Sequence, residues 1–526
     1  MQPDVSRIGD KVIKNTAYNV IGRVWFLVIG IFLTPYIIGH IGVERFAVWA
    51  LVGVITNYFG LLDFGVGSSF VKYISEFYTR KDYASINKIV NTGFGFYVLF
   101  AVVIVVATFF LLGPLISFLR IPPFLYSEAR FVFGLGIAVF CVSNAMGVFL
   151  SIQPGLQRMD LTNVITMSAS VVTIGGTVFA LEKGYGLRGL MVNNALVFAL
   201  TSILYIVSAY RLLPQLRFEP FVWDRSMFKR IFSFGFKVQL SRIGGTVTNQ
   251  TDKILITYFL AMSLVTYYQL GNSVVACAMT IPALLVSALV PAFSEIEARG
   301  ERKRLIESYI RSTKYLTFFT APLFVFTAVS AGRIMFIWMG TGYGQSAMVI
   351  QILAAAFLVN MIARVSSALC MAIEKPDLLM NASLIVIVSN IMFSIVLIKL
   401  LGFSGVAWGT MIAVNAGTVY FLCKLHRYLS VPAALYLRAT GPFFGLSLLA
   451  GACISLIDFL LKNPFPSMNR ITEAFFLFVS GAIFSLVYLS AVYAAGLFDV
   501  NDKTFLKEKF PFIHRFFRVR IFVHGE

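Results

Sequence analysis

Five polar residues in one apolar stretch, Gln239, Arg242, Thr246, Asn249 and Lys253, follow one another at intervals of three, four, three and four. On a helix that spacing aligns them on one face, and a polar stripe on an otherwise apolar helix faces protein or water rather than lipid. Its side chains donate hydrogen bonds and positive charge, the chemistry that holds an anion. Lys237 adds a charge near the start of the stretch, and Lys237 to Lys253 extends about 24 Å, close to the thickness of a bilayer's hydrocarbon core. Snorkelling to the headgroups is the competing role for Lys237 and Lys253, and a weaker one for Arg242, which lies about 16 Å into the stretch. Asp252 adjoins Lys253, and helix neighbours do not face each other. Its candidate roles are carrying a coupling cation or neutralising an arginine on another helix. Asn15, Asn19 and Arg23, spaced by four, form a second stripe, and Asn360 with Arg364 a third. For Arg364, packing against a carbonyl or carboxylate competes with ligand binding. Asp63, at the end of an apolar run, is either a further ion-coupling candidate or an acid held at headgroup level.

The elements that carry these stripes follow from composition. Of 526 residues 58% are hydrophobic and 13% charged, and the mean hydropathy is +0.83, which excludes a soluble enzyme and a disordered chain. The apolar runs are continuous rather than alternating, which excludes a porin-like barrel. The expectation is an all-α integral membrane protein. Fourteen runs reach spanning length, at 15–38, 43–64, 89–118, 130–150, 162–181, 189–210, 231–258, 264–290, 315–332, 346–372, 378–400, 404–423, 438–461 and 472–496. Met1 to Lys14 is polar and the first apolar run is full length, so no cleavable leader is expected.

With the N-terminus inside, 29 of the 43 Lys and Arg fall on the cytoplasmic side, 9 outside, and Arg23, Lys237, Arg242, Lys253 and Arg364 within spans. That bias predicts both termini in the cytoplasm, and it accounts for a net charge of +19 without nucleic acid. The tail from Asp499 alternates Lys and Arg with Phe and reads as a basic segment attracted to anionic lipid, or as a solvated tail.

Internal repetition organises the spans. Ile74-Ser75-Glu76-Phe77, followed by Arg80, matches Phe293-Ser294-Glu295-Ile296, followed by Arg299, at an offset of 219. Gln157-Arg158-Met159-Asp160 matches Glu374-Lys375-Pro376-Asp377 at 217, and Gly186-Leu187-Arg188-Gly189 matches Gly402-Phe403-Ser404-Gly405 at 216. Two six-helix lobes are therefore expected, at 1–215 and 228–428, with two additional helices over 436–496 and a cytoplasmic tail over 499–526. Parallel repeats of this kind commonly enclose a central site. The offset of 219 also carries Arg23 onto Arg242, which would put two guanidinium groups about one axis, suited to a diphosphate.

Enzyme chemistry is poorly represented. Gly340-Thr341-Gly342-Tyr343-Gly344 lacks the ending that holds nucleotide phosphates and reads as a turn. His40, His426, His514 and His524 are scattered, and the five cysteines lie in apolar runs without metal or disulfide spacing.

Leu62-Asp63-Phe64-Gly65-Val66-Gly67, running into Lys72-Tyr73-Ile74-Ser75-Glu76, resembles the end of the second helix of Wzx-type polysaccharide transport proteins, in the multidrug/oligosaccharidyl-lipid/polysaccharide exporter superfamily. The layout of six, six and two spans agrees over nearly the whole chain. Without the family, the two glycines simply stop a helix. The resemblance implies a flippase in the bacterial inner membrane that moves an undecaprenyl-diphosphate-linked oligosaccharide to the outer leaflet by alternating access, for surface polysaccharides such as O-antigen. It implies no cofactor and no catalysis, a coupling H+ or Na+ as an option, and a glycan polymerase with chain-length machinery as partners. A peptidoglycan-precursor flippase and a cation-coupled multidrug exporter of the same fold are the alternatives. An exporter of cationic compounds would want an acidic interior, whereas the polar stripes here are mainly basic. A glycan polymerase or ligase would want a large external loop with catalytic groups, and the expected external loops are short.

Overall fold

The computed structural model describes residues 5–219, 222–287, 289–462 and 469–498. Within these, the side chains of Asn15, Asn19, Lys237, Arg242 and Asn249 lie outside the described residues, as does the basic tail from Asp499. All the regular structure described is helical. In chain order the elements are α1 (Val5–Leu61), α2 (Val66–Thr79), α3 (Tyr83–Phe118), α4 (Tyr126–Leu150), α5 (Ile152–Gly155), α6 (Met159–Glu182), α7 (Gly186–Leu212), α8 (Arg225–Phe259) and α9 (Leu264–Ser287). They continue with α10 (Leu289–Ala298), α11 (Arg302–Val329), α12 (Ala331–Met339), α13 (Gly344–Ile362), α14 (Arg364–Ala372), α15 (Pro376–Leu401), α16 (Phe403–Leu429), α17 (Ala433–Lys462) and α18 (Arg470–Ala494).

Among the described residues eleven helices are long and apolar enough to cross a membrane, or twelve if α11 and α12, bent by 66°, form one span. Two features separate this number from the fourteen apolar runs. α1 counts once although it is 57 residues long, about 85 Å, and it is broken at Gly42, whose φ of 79° and ψ of 167° are not helical. The runs at 15–38 and 43–64 lie on either side of that break. α8 is 35 residues long, but the polar stripe lowers its hydropathy below that of the other long helices.

Contacts divide the chain into two compact units, residues 1–269 with 394–406, and residues 270–393 with 407–526. In the first, α4 packs on α3 and α7, α6 lies between α7 and α1, and α8 packs on α1, α2 and α3. In the second, α11 is the hub, flanked by α13 and α17, while α18 covers α12 and α17. Large apolar side chains such as Phe109 and Ile471 are about 80% exposed, the inverse of a soluble surface and the expected state of a lipid-facing one.

The repeated sequence motifs carry matching backbone. Lys81 and Gly300, at the ends of the two Ser-Glu segments, have φ of 58° and 71°. Gln157 and Glu374 have 57° and 56°, and Gly186 and Gly402 have 55° and 63°. Each pair is left-handed; in the first two the residue closes a helix C-terminus, and in the third it stands where the next helix begins. Glu76 pairs with Arg80, and Glu295 pairs with Arg299, each across one helical turn.

Candidate functional site

The first half of α8 is fastened to the corner between α1 and α2. α1 stops at Leu61 because Phe64 and Gly65 turn left-handed, with φ of 54° and 71°. The last carbonyls of a helix lack partners. Here Gln239 supplies them, its Nε2 donating to Gly60 O at 2.9 Å and Leu61 O at 3.1 Å. One turn earlier on α8, Gly235 lies directly against Gly65: a Cβ on Gly235 would stand 2.6 Å from the Gly65 carbonyl oxygen. The Ser69 hydroxyl donates to Ile231 O at 2.8 Å, continuing the seam. Asp63 sits in the corner itself and accepts from the buried Tyr97 hydroxyl at 2.7 Å, so its carboxylate braces the turn against α3. Glu76 of α2 binds Arg230 of α8 at 2.9 Å.

The second half of α8 carries a buried polar cluster. Asp252 is 1% exposed and accepts a hydrogen bond from Tyr268 of α9. Thr251 meets the Tyr58 hydroxyl of α1 at 2.8 Å. Lys253, also buried, donates to Gln250 Oε1 at 3.2 Å, whereas its neighbour in sequence, Asp252, accepts from Tyr268. A buried charge is tolerated only with such company. Thr246 is half-buried between the two halves.

Arg23 and Arg364 differ from these. Both side chains are exposed on their helices, and no hydrogen bond or ion pair to either occurs among the described residues. α1 packs on α6 through Trp25, whose indole N–H donates to Ser170 Oγ at 2.7 Å, and through Gly22 against Asn163. Arg23 lies between those two contacts in sequence and makes neither. Arg364 stands at the head of α14, just after the break at Ala363, and Asn360 one turn before it donates to Thr418 Oγ1 at 3.1 Å.

Sequence reasoning missed the buried ion cluster of the second unit. Arg333 on α12 meets Asp458 of α17 at 2.7 Å and Glu473 of α18 at 3.0 Å, and donates to Ser480 at 3.0 Å. It follows the apolar run 315–332 by one residue, so it reads in sequence as a loop cation; the bend between α11 and α12 turns it inward, where it is 8% exposed. Also missed were Tyr58, Tyr97 and Tyr268, single hydroxyls in apolar runs whose one visible signal is a phenol with no water to satisfy it. In the second unit a further buried set joins Tyr309 to Ser366 and His426, both at 2.8 Å.

Comparison with known proteins places this arrangement. A family model described as polysaccharide biosynthesis protein matches residues 41–348. The "Putative O-antigen transporter" of Shigella flexneri is 23% identical over 77% of this chain and 96% of its own length. The "Probable flippase AglR" of Haloferax volcanii is 19% identical over 88% of this chain and 92% of its own. Among solved structures, the lipid II flippase MurJ in an inward closed conformation matches with a TM-score of 0.71 and 19% identity, over 92% of this chain and 99% of that one. An inward-facing multidrug resistance transporter of the MATE family matches with a TM-score of 0.67 and 15% identity, over 80% and 95%. By the match over residues 41–348 the chain belongs to the polysaccharide biosynthesis protein family, and its multi-pass helical fold is the one shared by these flippase and multidrug-transporter structures.

Proposed function

We propose that this protein flips an undecaprenyl-diphosphate-linked oligosaccharide from the cytoplasmic to the outer leaflet of a bacterial inner membrane, by alternating access of two six-helix lobes. The observation that carries the reading is Arg23, an exposed guanidinium with no partner among the described residues on a helix otherwise fit to cross a membrane. An arginine in mid-span costs at least about 2.5 kcal/mol on the insertion scale, a cost that an anionic cargo offsets. The relatives' names, O-antigen transporter and flippase, point to the same cargo class. A multidrug exporter shares the fold, but the basic balance of Arg23, Arg242, Arg364, Lys237 and Lys253 favours an anion.

In this reading the chain crosses fourteen times with both termini in the cytoplasm. α1 crosses twice about Gly42, α8 crosses in spite of its stripe, and α11 with α12 makes one bent crossing. The paired left-handed turns support the repeat that relates the lobes 1–215 and 228–428, with 436–496 appended. Under that repeat Arg23 and Arg242 are equivalent and clamp the diphosphate through paired charge-assisted hydrogen bonds. Asn19, Gln239, Thr246, Asn249, Lys253, Lys237 and Arg364 line the path. Asp252, buried beneath a tyrosine hydroxyl, carries the coupling H+ or Na+, with Asp63 as the secondary candidate. A glycan polymerase and its chain-length partners receive the product, and the basic tail lies on anionic lipid.

The test is glycan export in a deletion strain complemented with variants at matched expression. Deletion should remove one surface glycan while its lipid-linked precursor accumulates inside. Arg23→Ala with Arg242→Ala should export less than about one-hundredth of wild type, since each lost charge-assisted contact is worth at least tenfold. Arg23→Lys should retain partial export because charge survives and the fork does not. Full export by the double alanine variant would refute the clamp, and a normal surface glycan after deletion would refute the cargo.

A further inference from the structure

α3 and α4 enclose a groove that neither the polar stripes nor the transport reading uses. It has a volume of about 810 Å³, within the range of ligand sites, and is lined by side chains of these two helices alone. Its long wall is apolar, with Phe109, Leu112 and Ile137. Its floor includes Gly113 and Gly134, and a Cβ built on either would meet no atom within 4 Å, so the groove exists partly because side chains are missing. Polar groups gather at one end, where Ser117 closes α3 and Tyr126, Ser127 and Arg130 open α4. From Ser117 back to Val105 the wall runs about 18 Å, close to the hydrocarbon depth of one leaflet.

The charge at that end is one-sided. Arg130 lines the groove, is exposed, and has no ion-pair partner among the described residues. The neighbouring acid, Glu128, is already engaged in both oxygens by Arg45, at 2.8 and 3.0 Å. Arg188 reaches the same rim, donating to Ser127 Oγ at 2.7 Å with its guanidinium over the Phe131 ring. On the proposed topology these three arginines stand outside, the side on which Lys and Arg are scarce. An apolar trough one leaflet deep with surplus cation at its mouth is complementary to an amphiphile with one anionic head.

We propose that the groove between α3 and α4 binds an anionic phospholipid of the surrounding membrane, its phosphate at Arg130 and its acyl chains along the Phe109 and Ile137 wall. The transported cargo fits less well. A sugar chain needs donors and acceptors along its length, whereas polar side chains here are confined to the mouth apart from Thr108, whose hydroxyl is spent on Ile104 O at 2.7 Å.

The experiment is native mass spectrometry of the purified full-length protein in detergent, titrated with equal amounts of phosphatidylglycerol and phosphatidylcholine of identical acyl chains. Wild type should retain phosphatidylglycerol about tenfold over phosphatidylcholine, the worth of one charge-assisted contact. Arg130→Gln should abolish the preference while total retention survives. Gly134→Leu, whose Cβ would meet no atom within 4 Å, should lower retention of both lipids; Gly175→Leu on α6, where a Cβ also meets nothing, should leave it unchanged. No preference in wild type, an undiminished one in Arg130→Gln, or equal retention by the Gly134→Leu and Gly175→Leu variants would overturn the site. Displacement of phosphatidylglycerol by equimolar undecaprenyl phosphate would overturn the phospholipid in favour of the carrier lipid. Because binding is read directly, the outcome is independent of whether the protein transports a glycan.

Discussion

Replacing Gly235 by alanine sets two effects of opposite sign against each other. In a helix interior alanine is favoured over glycine by about 1 kcal/mol, so propensity alone predicts a stabilised α8. Against that, the new methyl carbon would stand 2.6 Å from Gly65 O, 2.7 Å from Gly65 C and 2.9 Å from Val66 N. All three are backbone atoms of the corner between α1 and α2, and Gly65 is itself held at φ 71°, so none can rotate away as a side chain would. Overpacking of this kind costs about 1–3 kcal/mol, and the shift that relieves it pulls Gln239 from the carbonyls of Gly60 and Leu61, two hydrogen bonds worth about 1 kcal/mol each. The net expectation is destabilisation by about 2–4 kcal/mol. Gly245→Ala, on the same helix with nothing within 4 Å of the added carbon, is the matched control and should be neutral to stabilising. Thermal aggregation of detergent-solubilised protein, followed by size-exclusion chromatography, reads both. Equal midpoints for the two variants would refute the claim that the glycine contact holds α8 to the corner.

Two further outcomes are expected. Arg333→Leu strands Asp458 and Glu473 in the second unit without a cation and should cost about 3–5 kcal/mol, and combining it with Asp458→Asn and Glu473→Gln should restore most of the loss in the same melting assay. Asp224, the N-cap of α8, is held down to about 2 by the Ser226 hydroxyl and the N–H groups of Met227 and Ser226. Its folded value lies below the unfolded one near ~3.9, so its contribution is complete above that value and fades as pH falls towards 2. Asp224→Ala should therefore cost about 1 kcal/mol at pH 7 and progressively less when melts are repeated from pH 4 down to pH 2.5. A cost that does not change with pH would place the effect elsewhere than in the cap.

What was readable in the sequence, and what was not, divides along one physical line. Crossing a bilayer requires a continuous apolar helix, a local property, so the runs at 89–118, 130–150, 162–181 and 189–210 each fall within a helix that ends within a few residues of the expected bounds. The same holds for Gly65: its role as a helix stop is local and legible. Its second role, letting Gly235 approach, involves a residue 170 positions away and has no local signature. Polar groups inside apolar runs fall between these cases. Their rarity announces that each must be satisfied, but the partner is set by packing. Thus Asp252 and Lys253 stood out as charges in an apolar run, yet nothing local pointed to Tyr268 as a donor to one or Gln250 as an acceptor for the other. Arg333 is the sharpest instance. One residue beyond an apolar run, it is indistinguishable in sequence from a loop cation. A 66° bend and two acids more than a hundred residues downstream make it the most enclosed arginine among the described ion pairs. In a membrane chain the polar residues that matter most are therefore marked in sequence by their position and identified in function by their company. Arg23 and Arg130, which have none among the described residues, are accordingly where a ligand is to be sought.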